Sequence, residues 1–215
     1  MRNITILLFA LVMASATSFA QEPYACVAKG AVLVYANYDE KGKVDNYDRL
    51  TIQDVSQNGD NYTITTYHET LDKIKDKQGY NEMLTKSDIV DGGVQVDAGG
   101  IGVQVISADQ NALRIPNKLT VGYKLPIGDM AVSMEGVQVV CTISDNEVIN
   151  REEITTDAGT FKCYVIRQTS TIAMFAMGVT TVSTTWYCRG VGIVKSESMV
   201  GNKIVGRREL VSFTK

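Results

Sequence analysis

The sequence predicts an all-β protein, an antiparallel meander that forms a curved sheet, a half-barrel or a barrel with at most one or two short helices. Two observations predict this class. Short segments rich in Val, Ile, Thr and Tyr recur along the chain, and these residue types suit a half-buried pleated surface. Turn signals separate roughly ten such segments, and ten strands in one open sheet curl strongly.

The first half of the chain begins with three strand-like segments. They span residues 31–38, 50–55 and 61–69. Asn58-Gly59, between the last two, predicts a hairpin, because a type I′ turn needs positive φ at both central residues. Residues 71–85 differ, because charged residues alternate with apolar ones and Gly79 interrupts the pattern. We expect one short helix or an irregular crossing there.

The second half of the chain also consists of strand-like segments. The tetrapeptide Gly-Val-Gln-Val occurs at residues 93–96, 102–105 and 136–139. Ala98-Gly99-Gly100 lies between the first two copies, which predicts a hairpin between them. Apolar side chains alternate with more polar ones from Val137 to Ile143, which predicts a strand with one buried face. Four further strands are predicted at residues 161–171, 179–189, 191–199 and 204–213.

Residues 1–20 have the pattern of a secretory signal peptide. Arg2 provides a positive charge, residues 6–13 are apolar, and Ser18 and Ala20 provide small residues at positions −3 and −1 of a cleavage site. The apolar run is too short to span a bilayer core of ~30 Å. We therefore expect residues 21–215 to form a single β domain. Cys26 follows Tyr24-Ala25, and lipid attachment at this cysteine is the alternative to cleavage after Ala20.

The charge pattern excludes two classes of partner. The net charge of the whole chain is −3, and Lys and Arg form no cluster on any one segment. A nucleic-acid-binding protein carries a basic stripe, and a protein that binds anionic membranes carries a polybasic patch. We expect no nucleic-acid partner and no transmembrane segment in the mature chain. The predicted location is the periplasm or the cell surface of a Gram-negative bacterium.

Four cysteines allow three disulfide connectivities. If residues 161–171 and 179–189 form a hairpin centred near Phe175-Ala176, Cys163 lies opposite Cys188 and Val165 lies opposite Trp186. Directly opposed residues are within reach of a disulfide. The register therefore predicts a Cys163–Cys188 bond, which leaves Cys26 to pair with Cys141. The alternative is that some of these cysteines are reduced and buried.

Catalytic constellations are not evident in the sequence. His68 is the one histidine, so it is either a general base or metal ligand, or a hydrogen-bonded histidine of a strand. No second histidine completes a zinc site, and we predict no metal, no cofactor and no catalytic residues. The acidic residues that could form a carboxylate pair are Glu135, Glu147, Glu152 and Glu153.

The predicted tip of the 161–189 hairpin is apolar and rich in methionine, whereas hairpin tips are usually polar. Methionine packs against irregular partners, so such a tip is typical of an adaptable binding surface; the alternative is that it folds back over the core. The residues predicted to form the wall of a ligand pocket are Phe161, Val165, Met174, Phe175, Met177 and Trp186.

Three stretches of the chain resemble a family of secreted bacterial envelope proteins of unknown function, the TapB-like family. They are residues 29–43, with Lys29-Gly30-Ala31-Val32-Leu33 and Gly42-Lys43; residues 158–164, Ala-Gly-Thr-Phe-Lys-Cys-Tyr; and residues 186–197, which begin Trp-Tyr-Cys-Arg-Gly-Val-Gly. The resemblance implies a curved antiparallel sheet or half-barrel, similar to the LolA/LolB-type lipoprotein carriers. It implies no catalytic residues.

Together these observations predict an exported, non-enzymatic protein that binds an apolar or lipid-like ligand in a concave β-sheet. The alternative is a structural or adaptor protein of the cell envelope that binds another protein. A hydrolase that uses acidic residues ranks last. A connected cavity would favour the first function, an exposed apolar patch over a filled core the second, and opposed buried carboxylates the third.

Overall fold

The computed structural model describes residues 21–90, 93–95, 103–109, 114–134, 137–174 and 177–215. These residues contain thirteen strands and no helix, so the predicted all-β class is confirmed. The strands are β1 (Val32–Tyr38), β2 (Val44–Asn58), β3 (Asn61–Leu71), β4 (Tyr80–Val90), β5 (Gly93–Gln95), β6 (Val103–Ala108), β7 (Arg114–Ile115), β8 (Gly128–Met134), β9 (Val137–Thr156), β10 (Gly159–Met174), β11 (Met177–Cys188), β12 (Gly192–Val200) and β13 (Lys203–Thr214).

All of these strands belong to one antiparallel sheet with the order β6-β8-β9-β10-β11-β12-β13-β1-β2-β3-β4-β5-β7. Most neighbours in the sheet are also neighbours in sequence, which is the predicted meander. The exception in the middle of the sheet is the pairing of β1 with β13, where Val32 lies opposite Thr214. The sheet therefore has two arms, one from each end of the chain, that meet at this central pair.

The sheet is open and strongly curved. β5 and β6 lie near its opposite edges, eleven strand spacings apart, which would be about 53 Å in a flat sheet. The chain connects Gln95 to Val103 with only eight residue steps, which reach at most about 27 Å. The two arms must therefore bend toward each other, and this curvature creates a concave side.

The predicted hairpin at Asn58-Gly59 is present, but its turn is shifted by one residue. Asn58 pairs with Asn61, so the two central residues are Gly59 and Asp60. Only Gly59 has positive φ, at 62°, which is the pattern of a type II′ turn rather than the expected type I′. Glycine at the first central position satisfies this turn without steric cost.

Of the two alternatives for residues 71–85, the irregular crossing is confirmed for residues 72–79, whereas the helix is wrong and residues 80–85 belong to a strand. β3 continues to Leu71, and β4 begins at Tyr80 after a short loop. The apolar side chains that suggested a helical face do not form one, because Ile74 and Leu84 are exposed. The segment is the connection and first half of an antiparallel strand pair, in which Leu84 lies opposite Tyr67.

The predicted hairpin between the first two Gly-Val-Gln-Val copies is also wrong. β5 pairs with β4 and β7, whereas β6 pairs with β8, so the two copies lie near opposite edges of the sheet. The expected tip, Ala98-Gly99-Gly100, lies outside the described residues. Identical strand chemistry at these copies does not specify a partner, because each short strand can add to any open edge.

The predicted register of the β10–β11 hairpin is confirmed. Cys163 lies opposite Cys188, Val165 lies opposite Trp186, and Met174 lies opposite Met177. Cys163 and Cys188 are free thiols here, as are Cys26 and Cys141. The register prediction therefore holds, while neither of the two expected disulfide bonds is formed in this structure.

Two hydrophobic clusters hold the curved sheet together. The first lies around β1, β13 and the β2–β4 arm, and it includes Leu33, Ile64 and Val194. The second lies under the β9–β10 arm and includes Val148 and Ile166. The N-terminal segment (residues 21–31) contributes to both, because Cys26 belongs to the first cluster and Tyr24 to the second.

Candidate ligand-binding cavity

A cavity of about 280 Å³ lies on the concave side of the sheet. Side chains from β1 to β5, from β11 to β13 and from the N-terminal segment line it together. Tyr187 of β11 and Val94 of β5 both belong to this wall, although seven strand spacings separate their strands in the sheet. The curvature of the sheet is therefore what forms the cavity.

The deepest part of the cavity wall is apolar. Strand alternation places Leu50 and Ile52 on the same face of β2, and the register places Leu33 beside Leu50. Ile52, Ile64 and Ile89 line the cavity and are buried. Water in such a space finds few hydrogen-bond partners, so this part of the cavity suits an apolar group.

A row of polar side chains crosses the wall formed by β3 and β4. It consists of Thr66, His68, Thr85 and Ser87. The Nε2 atom of His68 lies 2.8 Å from the Oγ1 atom of Thr85. The structure therefore places His68 as a hydrogen-bonded strand histidine, and the described residues contain no group of three potential metal ligands.

Two buried tyrosines face the cavity from the other side. The hydroxyl of Tyr35 donates a hydrogen bond to the carbonyl oxygen of Ile193 at 2.8 Å. Burial raises the pKa of Tyr35 and the pKa of Tyr187 to about 12. Both phenols therefore stay neutral at physiological pH and present aromatic surface to the cavity.

The N-terminal segment closes one side of the cavity with Tyr24, Ala25 and Cys26. Arg189 holds this segment in place. Its guanidinium lies 4.3 Å from the ring centroid of Tyr24, and its Nη1 atom donates to the carbonyl oxygen of Glu22 at 2.5 Å. It also donates to Oδ1 of Asn117, at 2.7 Å, and to the Asn117 carbonyl oxygen. We call this group (Glu22, Tyr24, Asn117 and Arg189) the Arg189 clamp.

Sequence reasoning assigned no role to Arg189 or to the cavity residues. The clamp joins three segments that are distant in sequence, so no local pattern predicts it. The cavity residues carried a weak signal, because Tyr62, Ile64 and His68 share one face of a predicted strand. That alternation predicts a face but does not reveal that a cavity lies over it.

The residues predicted to bind a ligand lie elsewhere. Phe161 and Trp186 pack against the first hydrophobic cluster, and Val165 is buried. The indole Nε1 of Trp186 donates to Oε1 of Glu152 at 2.6 Å, and the Lys195 ammonium lies 4.8 Å from the centroid of its ring. None of these three residues is among those that line the cavity.

The apolar tip of the β10–β11 hairpin is only partly described. Met177 is exposed, at 71% of its full surface, and Phe175 and the side chain of Met174 lie outside the described residues. Ile172 and Val179 lie directly opposite each other and are also exposed. None of these three exposed residues belongs to either hydrophobic cluster, and the binding role of this end of the hairpin stays a prediction.

Three of the four candidate catalytic carboxylates are described by the structure, and Glu147, Glu152 and Glu153 are not among the residues that line the cavity. Glu152 accepts the Trp186 indole, and Glu147 accepts from Lys124 at 2.6 Å. Glu153 is exposed, and Glu135 lies outside the described residues. The buried carboxylate in the described part of the chain is Glu69, which pairs with Arg49 at 2.8 Å. These contacts give the named carboxylates structural partners.

Comparison with known proteins identifies the family. The DUF3108-like family matches residues 28–210, which includes both arms of the sheet. The chain belongs to the DUF3108-like family. No curated protein sequence matches it. Within the described ranges, no helix is long and apolar enough to cross a membrane.

Solved structures with a similar fold come from bacterial proteins that are described as exported proteins or lipoproteins. One is described as an exported protein with a YmcC-like fold from Bacteroides fragilis; it is 16% identical, with a TM-score of 0.71 over 90% of this chain and 100% of the other. A lipoprotein from Parabacteroides distasonis gives the same identity and TM-score over 91% and 100%. YmcC of Escherichia coli, a hypothetical lipoprotein, superposes less well, at 10% identity and a TM-score of 0.38.

The two structures with a TM-score of 0.71 confirm the fold of this DUF3108-like protein. The matches do not name the TapB-like family or the LolA/LolB-type carriers, so those two resemblances stay predictions. The relatives are described as exported proteins or lipoproteins, and none is described as an enzyme.

Proposed function

We propose that this DUF3108-like protein is an exported, non-enzymatic binder of an apolar or lipid-like molecule, which occupies the cavity on the concave side of the sheet. The observation that carries the proposal is the cavity itself. It is built by a curved sheet and closed by the N-terminal segment, and its deep wall consists of Leu, Ile and Val side chains. Small-molecule sites are concave, mostly apolar and few per protein.

The size of the cavity supports one class of ligand. Its volume of about 280 Å³ lies at the lower end of ligand pockets, which measure roughly 300–1,000 Å³. A single alkyl chain suits this volume better than a two-chain phospholipid. The ligand we propose is therefore a single-chain lipid or an apolar molecule of similar size.

The proposed location is the periplasm or the cell surface of a Gram-negative bacterium. Two observations support it: the predicted signal peptide in residues 1–20, and the description of two structural relatives as exported protein and lipoprotein. Of the two alternatives for processing, burial of Tyr24 favours cleavage after Ala20. Processing at Cys26 would remove Tyr24 and with it one wall of the cavity.

The first experiment is native mass spectrometry of the protein purified gently from its own host, followed by solvent extraction. An adduct that extraction identifies as an apolar molecule supports the proposal. Calorimetric titration with dodecanol then tests binding directly. We expect Ser87→Phe to abolish dodecanol binding, because Ser87 lines the cavity and the new ring fills it.

Lys86→Phe is the matched control. Lys86 is the neighbouring residue of β4, and its exposed side chain points to the other face of the sheet. It should leave dodecanol binding unchanged. If the protein shows neither an adduct nor dodecanol binding, or if both variants bind dodecanol as well as the wild type, the cavity is not a ligand site.

A protein-binding adaptor is the second candidate. Its supporting observation is the exposed apolar end of the β10–β11 hairpin, where Ile172, Met177 and Val179 lie at the surface. A photo-crosslinking amino acid at position 177 should then capture one envelope protein in intact cells, while the same group at position 86 should not. Equal labelling at both positions would remove this candidate.

A further inference from the structure

The polarity of the cavity wall changes along the strands. On β2 the residues of the cavity face are, in order, Asn46, Asp48, Leu50 and Ile52. The register places Asn37 beside Asn46 and Leu33 beside Leu50. Past Leu33 and Leu50 this face is therefore polar, and its polar side chains flank the cavity at the Arg208 end without belonging to the cavity lining. We call this the polar end of the face.

Arg208 of β13 provides the positive charge at the polar end. It lies opposite Asn37 in the sheet and belongs to the cavity wall. Its guanidinium stacks on Tyr35 with 4.1 Å between Cζ and the ring centroid. Its Nη2 atom lies 3.2 Å from Oδ2 of Asp48, which also accepts from Nδ2 of Asn37 at 2.9 Å.

The ion pair with Asp48 uses few of the N–H donors of the Arg208 guanidinium. A guanidinium carries five N–H donors in a fork that matches a carboxylate, and a bidentate pair uses two of them in parallel. Here Asp48 approaches Nη2 at 3.2 Å, and the Nε atom of Arg208 is buried without a hydrogen-bond partner. A positive charge at the edge of an apolar cavity is costly unless it is well paired, so a second acceptor would be favourable there.

We propose that the cavity takes a single-chain amphiphile with an acidic head group, such as a fatty acid. The carboxylate binds Arg208 at the polar end, and the alkyl chain lies against Leu50, Ile64 and Ile89. This inference rests on the proposed function, because it names the ligand class for the same cavity.

Asp48 lowers the affinity of this site for a carboxylate. It neutralises Arg208 when the cavity is empty, and an incoming carboxylate must compete with it for the same guanidinium. Asn37 holds Asp48 from the other side, through a hydrogen bond that does not depend on Arg208. Replacing Asp48 by Asn should therefore raise the affinity for an acid, because it removes the competing charge and keeps the shape.

The test compares dodecanoic acid with dodecanol by calorimetric titration at pH 7.5. For the wild type we expect the acid to bind about tenfold or more tightly than the alcohol, as a charge-assisted hydrogen bond implies. Arg208→Gln should remove this preference, so that the ratio of the acid affinity to the alcohol affinity falls toward one. Asp48→Asn should raise that ratio several-fold.

Arg207→Gln is the matched control. Arg207 is the next residue, but it stacks on Tyr38 at 4.0 Å and is not part of the cavity wall. It should preserve the preference for the acid. Equal binding of acid and alcohol to the wild type overturns the head-group assignment but leaves the proposed function intact. Binding of neither compound overturns the proposed function itself.

If Arg208→Gln does not fold, Asp48→Asn still decides the question. An unchanged affinity of this variant for dodecanoic acid would show that the carboxylate is not near Arg208. A gain in affinity for dodecanoic acid but not for dodecanol would support the assignment. Added salt should reduce this gain, because salt screens a partly exposed ion pair.

Discussion

At the scale of single residues, Arg189 connects three separate segments of the chain. It joins the N-terminal segment to the turn after β11 and to the connection between β7 and β8. These contacts include both hydrogen bonds and stacking on a buried ring, so the residue contributes through charge and through packing. The cavity depends on it, because the segment it holds forms one of the cavity walls.

Arg189→Ala should lower the free energy of unfolding by about 2 kcal/mol, since hydrogen bonds to charged groups contribute roughly 1.5–3 kcal/mol. Denaturant unfolding measures this difference. Arg151→Ala is the control, because Arg151 stacks on Tyr164 at 5.4 Å but is exposed. Equal losses of unfolding free energy in both variants would mean that the Arg189 clamp contributes no more stability than stacking at the surface does.

The Arg49–Glu69 pair gives stability that depends on pH. Hydrogen bonding to Arg49, together with the backbone N–H of Gly79, holds the pKa of Glu69 below its ordinary value of 4.5. A carboxyl group with a lowered pKa stabilises the fold above its unfolded pKa, and this contribution is lost as the pH falls through the folded pKa. Glu69→Gln should therefore be clearly destabilising at pH 7 and nearly neutral well below pH 4.5.

Unfolding by urea at a series of pH values tests this prediction. The measured quantity is the difference in unfolding free energy between wild type and variant. A difference that stays constant from pH 7 to pH 3 would contradict it.

Cys163 and Cys188 remain the predicted disulfide pair. They are directly opposed, and the interaction between their two side chains raises the pKa of Cys163 and lowers the pKa of Cys188. In an oxidising compartment we expect these two to be joined. Peptide mapping without reductant, after thiols are blocked, should find them linked; a link from Cys26 to Cys163 would disprove the pairing.

At the scale of elements, the turn between β2 and β3 depends on one glycine. Gly59 has a φ of 62°, and no heavy atom lies within 4 Å of a Cβ placed there. Gly59→Ala should therefore cost about 1 kcal/mol through backbone strain alone. Thermal or denaturant unfolding measures the loss.

Gly206→Ala provides the comparison for this turn. A methyl group at Gly206 would also meet free space, but this residue lies within β13 and its φ is not positive. Alanine suits an extended strand better than glycine, so this variant should be neutral or slightly more stable. A loss of similar size at both positions would exclude strain as the cause.

The elements also indicate how far sequence reasoning reaches. The β10–β11 register was predictable because a hairpin is local and because pairing Cys163 with Cys188 and Val165 with Trp186 gives one apolar face at its base. The partners of β5 and β6 were not, because both pairings depend on the curvature of the whole sheet. The helix considered within residues 71–85 was wrong for a different reason: the apolar side chains do not share one buried face, since Leu71 is buried whereas Ile74 and Leu84 are exposed.

At the scale of the whole molecule, Tyr24 connects the N-terminal segment to the β9–β10 arm. Its ring is buried and packs edge-on against Tyr164, with centroids 6.1 Å apart. Tyr24→Ala should cost about 3–5 kcal/mol, as truncation of a buried aromatic side chain does. Tyr123→Ala, at an exposed tyrosine, should cost less than about 1 kcal/mol.

Calorimetry of both tyrosine variants tests this claim. A small loss of unfolding free energy for Tyr24→Ala would mean that the N-terminal segment lies on the sheet without stabilising it.

The cavity could not be predicted from the sequence. Tyr24, Arg208 and Ile89 come to line the same cavity only when both arms of the sheet have curved.

The pairing of β1 with β13 has a consequence for how the chain is made. The ladder at the middle of the sheet joins Val32 to Thr214, so it cannot form until β13 has been synthesised, more than 160 residues after β1. A chain truncated before β13 would carry two unpaired backbone edges at the centre of its sheet, β1 and β12, and unpaired edges promote aggregation. Loss of β13 should therefore harm this fold more than loss of a strand at either edge of the sheet.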